Sequence, residues 1–184
     1  MASSPARRAA IVPTALAAFA VVVVMNLVHE AGHGLAGKAM GYDVIVRTNH
    51  AAVATGEFRS ATDALIMSAA GPLVTVAIAL IAALYARRGS VLAAGVVLAA
   101  LVSRLIAAVV SLNYPNDEAR ISTALGLGQW TLFGIVILLL SLLAALSLRG
   151  KRLGWRWFLG AYIGTSLGTA LVVLGESWFP ALRF

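Results

Sequence analysis

The chain of 184 residues is too apolar to be an ordinary soluble domain. Hydrophobic residues make up 61% of it and charged residues only 11%, whereas a soluble domain carries about 25% charged residues. This composition excludes both a soluble globular fold and a disordered chain. Because the sequence has five prolines and no low-complexity tract that could form a linker, we predict one integral membrane domain over residues 1–184.

The charges indicate a lipid partner rather than a nucleic acid. Fourteen basic and seven acidic residues give a net charge of +7, which in a soluble protein would suggest nucleic-acid binding. Here the basic residues form short clusters between apolar runs, a pattern typical of loops that face anionic lipid. We therefore predict contact with the lipid bilayer and no nucleic-acid partner. The chain has no cysteine, so a metal ion would need histidine, carboxylate or amide ligands.

The first apolar segment follows Arg7 and Arg8, as in a signal peptide. It continues from Ala9 to Val28 without a polar region that ends in a cleavage site. This favours a membrane helix over about residues 9–40, which Gly41 would end.

Residues 42–59 are too polar to cross a bilayer. Side chains alternate in character from Val44 to Asn49, and a second short run follows a turn near Asn49-His50. This pattern predicts a β-hairpin over about residues 42–59, at the membrane interface or in a cavity.

Four further apolar runs complete the predicted fold. They span about residues 62–86, 90–112, 125–148 and 157–175, and each is long enough to cross the bilayer. A polar break at residues 113–118 separates the third span from a helix that restarts near Asp117 and continues into the fourth span. The fold class is therefore an all-α membrane protein of about five transmembrane helices, with a short β-hairpin between the first and second.

Five spans separate the charges into two sides. All seven acidic residues lie toward one side, with five basic residues: Lys38, Arg47, Arg59, Arg120 and Arg183. The other side carries eight basic residues: Arg7, Arg8, Arg87, Arg88, Arg149, Lys151, Arg152 and Arg156. The positive-inside rule then predicts a multi-pass protein of the cell membrane with a cytoplasmic N-terminus.

The sequence His29-Glu-Ala-Gly-His33 matches the HExxH pattern of zinc hydrolases. Two histidines at i and i+4 share one face of a helix, so both imidazoles can reach one zinc ion. Glu30 can act as general base toward a water molecule that zinc activates. Within a membrane helix such polar residues are costly, which itself indicates a functional site rather than helix packing alone.

A catalytic zinc ion needs a third protein ligand. Asp117 is the best placed candidate, because it follows the third span on the side where His29 and His33 lie. Its other interpretation is an acidic residue that stabilises a helix N-terminus. Glu118 and His50 are the remaining candidates. If Asp117 is the ligand, Glu118 would lie in the first helical turn and interact with the helix dipole.

Three segments together resemble the site-2 protease family of intramembrane zinc metalloproteases. They are the HExxH helix, the apolar sequence Gly71-Pro-Leu-Val-Thr75 and the break Asn113-Tyr-Pro-Asn-Asp117, and the resemblance covers about residues 10–130. It implies one zinc ion per chain, ligated by His29, His33 and Asp117, with Glu30 as catalytic base. Family members often carry Asn where Thr75 stands. They also place the metal nearer the cytoplasmic face, whereas the charge distribution here places it nearer the outer face.

The predicted function is therefore hydrolysis of peptide bonds in membrane-embedded protein substrates. Two alternatives are a non-catalytic membrane scaffold with a structural zinc site and a membrane zinc hydrolase of non-peptide substrates. Glu30 argues against the scaffold, because metal binding alone does not need it. Nothing but the resemblance separates peptide bonds from other amide substrates.

Three other features have competing interpretations. The β-hairpin could capture an unwound substrate by strand addition, or it could be a plain interfacial loop. Arg104, within the third span, could pair with a carboxylate or orient the site, but bonding to backbone carbonyls or snorkelling is favoured. The repeat of Gly160, Gly164 and Gly168 predicts close helix packing, either within the chain or between copies.

Overall fold

The structure, a computed structural model, describes residues 11–183. Within that range it contains six α-helices: α1 (Ile11–Ala39), α2 (Ala61–Arg87), α3 (Val91–Val110), α4 (Asp117–Ala124), α5 (Thr131–Leu148) and α6 (Trp155–Leu174). All except α4 are long and apolar enough to cross a membrane. The predicted all-α membrane fold with five spans is confirmed, and the chain is a multi-pass membrane protein. The predicted beginning of the first span near residue 9 lies outside the described residues, as do Arg7 and Arg8.

Polar side chains define where three of the helices begin. The hydroxyl of Ser60 accepts a hydrogen bond from the backbone N–H of Asp63, and that of Ser90 accepts one from Ala93. The Asn116 amide oxygen caps α4 in the same way. Such caps satisfy N–H groups that have no partner within the helix. They place the starts of α2, α3 and α4 within a few residues of the predicted positions.

The predicted continuous helix from Asp117 into the fourth span is wrong. The chain leaves the helical conformation between α4 and α5, where Gly126 and Gly128 have φ values of +71° and +79°. Glycine adopts this left-handed region without a steric penalty. The hydroxyl of Ser122 stabilises the break, because it donates to the Gly128 carbonyl at 2.5 Å and accepts from the backbone N–H of Leu132. As a result α4 is a separate helix that can lie at its own angle.

The predicted hairpin is confirmed, with strands shorter than the 42–59 segment. Strand β1 (Val44–Val46) pairs antiparallel with β2 (Ala51–Val53). A third strand, β3 (Leu182–Arg183), pairs with the other edge of β1 and was not predicted. It follows a short 3₁₀ helix (Glu176–Trp178), and Arg183 forms an ion pair with Asp43 at 2.6 Å. Hydrogen bonds from Arg183 lower the pKa of the exposed Asp43 carboxyl.

The helices approach one another through small residues. Gly160, Gly164 and Gly168 face α1, and a Cβ atom at Gly164 would overlap the carbonyl oxygen of Ala15. The glycine repeat therefore packs within the chain. Large apolar side chains point outward instead, with Leu138 72% exposed. Lipid can cover these side chains, so helix association depends on close contact of the backbones.

The small sheet packs against the ends of α1 and α2 near the histidines. Val44 and Val53 form a buried cluster with Met67 of α2. Gly37 of α1 allows this contact, because a Cβ atom there would lie 2.9 Å from Val44 and 3.1 Å from the sulfur of Met67. This cluster closes the bundle at the end where the HExxH motif lies.

Candidate metal centre

The HExxH motif lies in α1, and its two histidines point to the same place. His29 and His33 are 4% and 5% exposed. Their Nε2 atoms lie 3.2 Å apart, with the rings nearly perpendicular at 84°. The i, i+4 spacing on one helical face brings these atoms together, as predicted.

The first residue of α4 completes a triangle with the histidines. Oδ2 of Asp117 lies 3.2 Å from Nε2 of His29 and 3.3 Å from Nε2 of His33. Within the described chain, these three residues form the group of histidine and acidic side chains whose ligand atoms converge. The structure thus brings Asp117, the predicted third ligand, beside both histidines.

Neighbouring groups determine which histidine nitrogens carry protons. The hydroxyl of Thr75 donates to the Gly71 carbonyl, so it accepts a hydrogen bond from Nδ1 of His29 at 2.9 Å. Nδ1 of His33 donates to the carbonyl of Met67 at 2.6 Å. In a neutral imidazole with a proton on Nδ1, Nε2 has a free lone pair. Both lone pairs then point toward the carboxylate of Asp117.

This arrangement of donors can hold a metal ion. Two nitrogen lone pairs and a carboxylate repel each other at these distances unless a positive charge lies between them. Histidines that bind metals usually donate their other N–H group to a carbonyl, carboxylate or water. His33 makes such a contact through a carbonyl, and His29 makes a comparable one through a hydroxyl.

Asp117 is held in its ionised form. Burial alone would raise the pKa of its carboxyl, but the contacts with His29 and His33 and the positive charge of Arg120 keep that pKa well below its usual range. Arg120 forms an ion pair with Oδ1 of Asp117. This contact leaves Oδ2 directed at the histidines.

Gly71 of α2 provides the space in front of the histidines. A Cβ atom at this position would overlap Nε2 of His33 and would lie 2.7 Å from Nε2 of His29. Gly71, the first residue of the Gly71-Pro72 sequence that resembles a family motif, therefore borders the centre from inside α2. Glycine is required here by the close approach of the imidazoles.

Glu30 is buried beside the centre and has no hydrogen-bond or ion-pair partner in the described part of the chain. It is 7% exposed, and it lines a cavity of about 750 Å³ together with His29, His33 and Asp117. A buried carboxylate without a protein partner needs water or a ligand in contact with it. The cavity provides the volume for such a molecule.

The other two candidates for the third ligand lie elsewhere. Glu118 is in the first turn of α4, as predicted, where it is completely buried and pairs with Arg104 at 3.1 Å. The favoured interpretation of Arg104, contact with backbone carbonyls or snorkelling, is therefore wrong. His50 is exposed and lines the cavity, outside the convergent group.

The sequence did not assign roles to two residues that support the centre. Thr75 follows Gly71 by one helical turn, and Arg120 follows Asp117 by one helical turn. Residues three or four apart share a helix face. This spacing could therefore have indicated that both side chains lie near the centre. The Met67 carbonyl, which orients His33, belongs to the backbone. Every residue has such a group, so the sequence could not identify it.

Comparisons with known proteins do not assign a family to this geometry. No family model, curated protein or solved structure matches the chain. The functional interpretation therefore depends on the chemistry of the residues themselves.

Proposed function

We propose that the chain is an intramembrane zinc metalloprotease. The observation that carries this proposal is the triangle of His29 Nε2, His33 Nε2 and Asp117 Oδ2, with edges of 3.2–3.3 Å, beside the buried carboxylate of Glu30. Tetrahedral zinc with ligand bonds of about 2.0–2.1 Å separates its ligand atoms by about 3.3–3.4 Å. The distances between the three donors therefore suit zinc.

The donor set also favours a catalytic rather than a structural zinc ion. Imidazole nitrogens with one carboxylate oxygen are suitable zinc ligands. Three protein ligands leave one coordination position for water or substrate, as in catalytic sites. When bound, zinc supplies Lewis-acid activation of a water molecule and of the substrate carbonyl.

Glu30 is suited to move the proton that hydrolysis requires. The water molecule adds to the carbonyl carbon and gives its proton to the Glu30 carboxylate. As the carbon–nitrogen bond breaks, the carboxyl of Glu30 donates that proton to the leaving amine. General acid–base catalysis of this kind contributes about 10²–10⁴-fold to a rate.

The cavity and sheet support a peptide substrate from the membrane. Residues Ala51–Val53 of β2 line the cavity that contains the metal centre. Strand β1 is paired on both sides, so the edge of the sheet at the cavity belongs to β2. An unwound peptide can add to such an edge through backbone hydrogen bonds. This supports membrane-protein substrates, and the five apolar helices support a place in a cell membrane.

The decisive experiment compares zinc content with hydrolysis in the Glu30→Gln variant. Purified protein in liposomes is given a library of single-span peptides, each with a fluorophore and a quencher on opposite sides of a cleavable segment. We expect about one zinc ion per chain in both proteins, and cleavage about 10²–10⁴-fold slower in Glu30→Gln. Glu57→Gln, an exposed position outside the cavity lining, is the matched control.

The outcomes separate the alternatives. Cleavage by Glu30→Gln at the native rate would contradict the protease mechanism. Zinc binding without cleavage of any peptide would favour a structural zinc site or a non-peptide substrate. Unchanged zinc content in both His29→Ala and His33→Ala would exclude the metal centre itself.

A further inference from the structure

A buried ion pair lies one residue beyond the metal centre. Glu118 follows Asp117 in α4 and is completely buried, and its Oε1 accepts a hydrogen bond from Nη1 of Arg104 at 3.1 Å. Arg104 lies within α3 and is 8% exposed. The proposed hydrolysis uses neither side chain, so the pair needs a separate explanation.

Helix α4 is too short to be stable by itself and depends on contacts with the rest of the bundle. It has eight residues, whereas isolated helices shorter than about 12–15 residues are marginal even in favourable sequences. Its first turn carries two consecutive carboxylates, and consecutive residues of a helix point about 100° apart. Asp117 accordingly faces the histidines of α1, while Glu118 faces Arg104 of α3.

The other contacts of α4, including its packing against α2 and α5, do not direct the carboxylates of its first turn. The pair of Arg120 with Asp117 and the cap from Asn116 join residues of the same turn, so they move with the helix. Ala119 and Ile121 are buried, but apolar burial is not directional. Ser122 joins the end of α4 to the loop that follows it and to the first turn of α5, far from the two carboxylates of the first turn. Apart from the contacts of Asp117 with the histidines themselves, the Arg104–Glu118 pair is the directional charge contact between the first turn of α4 and a membrane-spanning helix within residues 11–183.

We propose that Arg104 and Glu118 are positioning residues that set the rotation of α4, so that Oδ2 of Asp117 points to Nε2 of His29 and His33. Rotating α4 would leave a carboxylate and a guanidinium buried without partners, which is strongly unfavourable. Fixing register is the best-supported role of buried polar groups. This inference rests on the proposed metal centre.

The test removes both charges while preserving the packing. Replacement of a buried ion pair by apolar residues of similar size is often neutral or stabilising, so the Arg104→Met/Glu118→Met double variant should fold, as thermal unfolding in detergent will check. Each protein is loaded with Co²⁺, whose d–d absorption reports the ligand geometry. We expect Co²⁺ affinity to fall about 10–100-fold, as when an outer partner of a ligand is lost. The spectrum should shift toward that of Asp117→Ala.

A second ion pair provides the control. Asp43 and Arg183 are exposed, and their ion pair joins the residue before β1 to β3. The Asp43→Asn/Arg183→Gln double variant also removes two charges, and it should keep the native Co²⁺ affinity and spectrum.

Failure of the inference differs from failure of the metal centre. Native Co²⁺ affinity and spectrum in the folded double Met variant would overturn the positioning role and leave the centre intact. If Asp117→Ala binds Co²⁺ as the native protein does, the metal centre fails and this inference fails with it. If the double Met variant does not fold, two single variants at Glu118 test the positioning role instead. Glu118→Gln keeps an acceptor for Arg104 and should bind Co²⁺ about tenfold more tightly than Glu118→Ala, whereas equal affinities would overturn the proposal.

Discussion

At the scale of single residues, Gly71 determines whether two imidazoles can meet in front of α2. Because a Cβ atom there would overlap His33 and crowd His29, Gly71→Ala must displace at least one ring. We predict about 10–100-fold weaker zinc binding, measured by competition with a chromogenic chelator. Gly134→Ala is the matched control, since Gly134 lies in α5 and the added Cβ would meet no other helix or loop within 4 Å. Equal zinc affinities in the two variants would show that the histidines can move away without loss of the site.

Thr75 offers a second test at this scale. Its hydroxyl accepts a hydrogen bond from the Nδ1–H group of His29 and so orients the ring. Thr75→Val keeps the shape but removes the acceptor, and we predict about 10–100-fold weaker zinc binding. Thr75→Ser should restore most of the affinity because it retains the hydroxyl. A valine variant with native affinity would show that the Thr75 contact does not support the ligand.

At the scale of elements, the contact between α1 and α6 depends on glycine. In Gly164→Ala, the added Cβ would overlap the Ala15 carbonyl oxygen, and the two helices would have to separate. Overpacking of this kind costs about 1–3 kcal/mol of unfolding free energy, so the midpoint of thermal unfolding in detergent should fall. Leu167→Ala is the control, because Leu167 is 58% exposed on the same helix. A larger loss of stability in Leu167→Ala would mean that the glycine face does not limit the packing.

At the scale of the whole molecule, the charges divide between the two ends of the bundle. Asp43, Glu57 and Asp63 lie at the end with the metal centre, near the connection of α1 to α2. The opposite end carries six basic residues in the described chain: Arg87, Arg88, Arg149, Lys151, Arg152 and Arg156. The positive-inside rule predicts that this basic end is cytoplasmic.

Single cysteines can test this orientation, since the native chain has none. Thr55→Cys lies at the metal end, and Gly154→Cys lies at the basic end, where no atom is within 4 Å of the added Cβ. A membrane-impermeant maleimide should label Thr55→Cys in intact cells and Gly154→Cys only after permeabilisation. The reverse pattern would place the metal centre near the cytoplasmic face, as the family resemblance implies.

Local patterns in the sequence were enough to predict the membrane spans, the β-hairpin and the approach of the two histidines. Apolar runs of about 20 residues have few alternatives to a membrane helix. Residues at i and i+4 meet on any helix, so the approach of His29 and His33 needed no knowledge of the fold. The alternation around Val44 likewise reports local strand geometry.

Contacts between distant segments were decided only by the tertiary structure. Asp117 and Glu118 have similar chemistry and adjacent positions, and only the packing of α4 against α2 and α5 directs one to the histidines of α1 and the other to Arg104 of α3. The pairing of β3 with β1 and the packing of the α6 glycines on α1 also join distant parts of the chain. Such contacts depend on which surfaces meet after the helices associate, and this choice is not encoded in the period or composition of either segment alone.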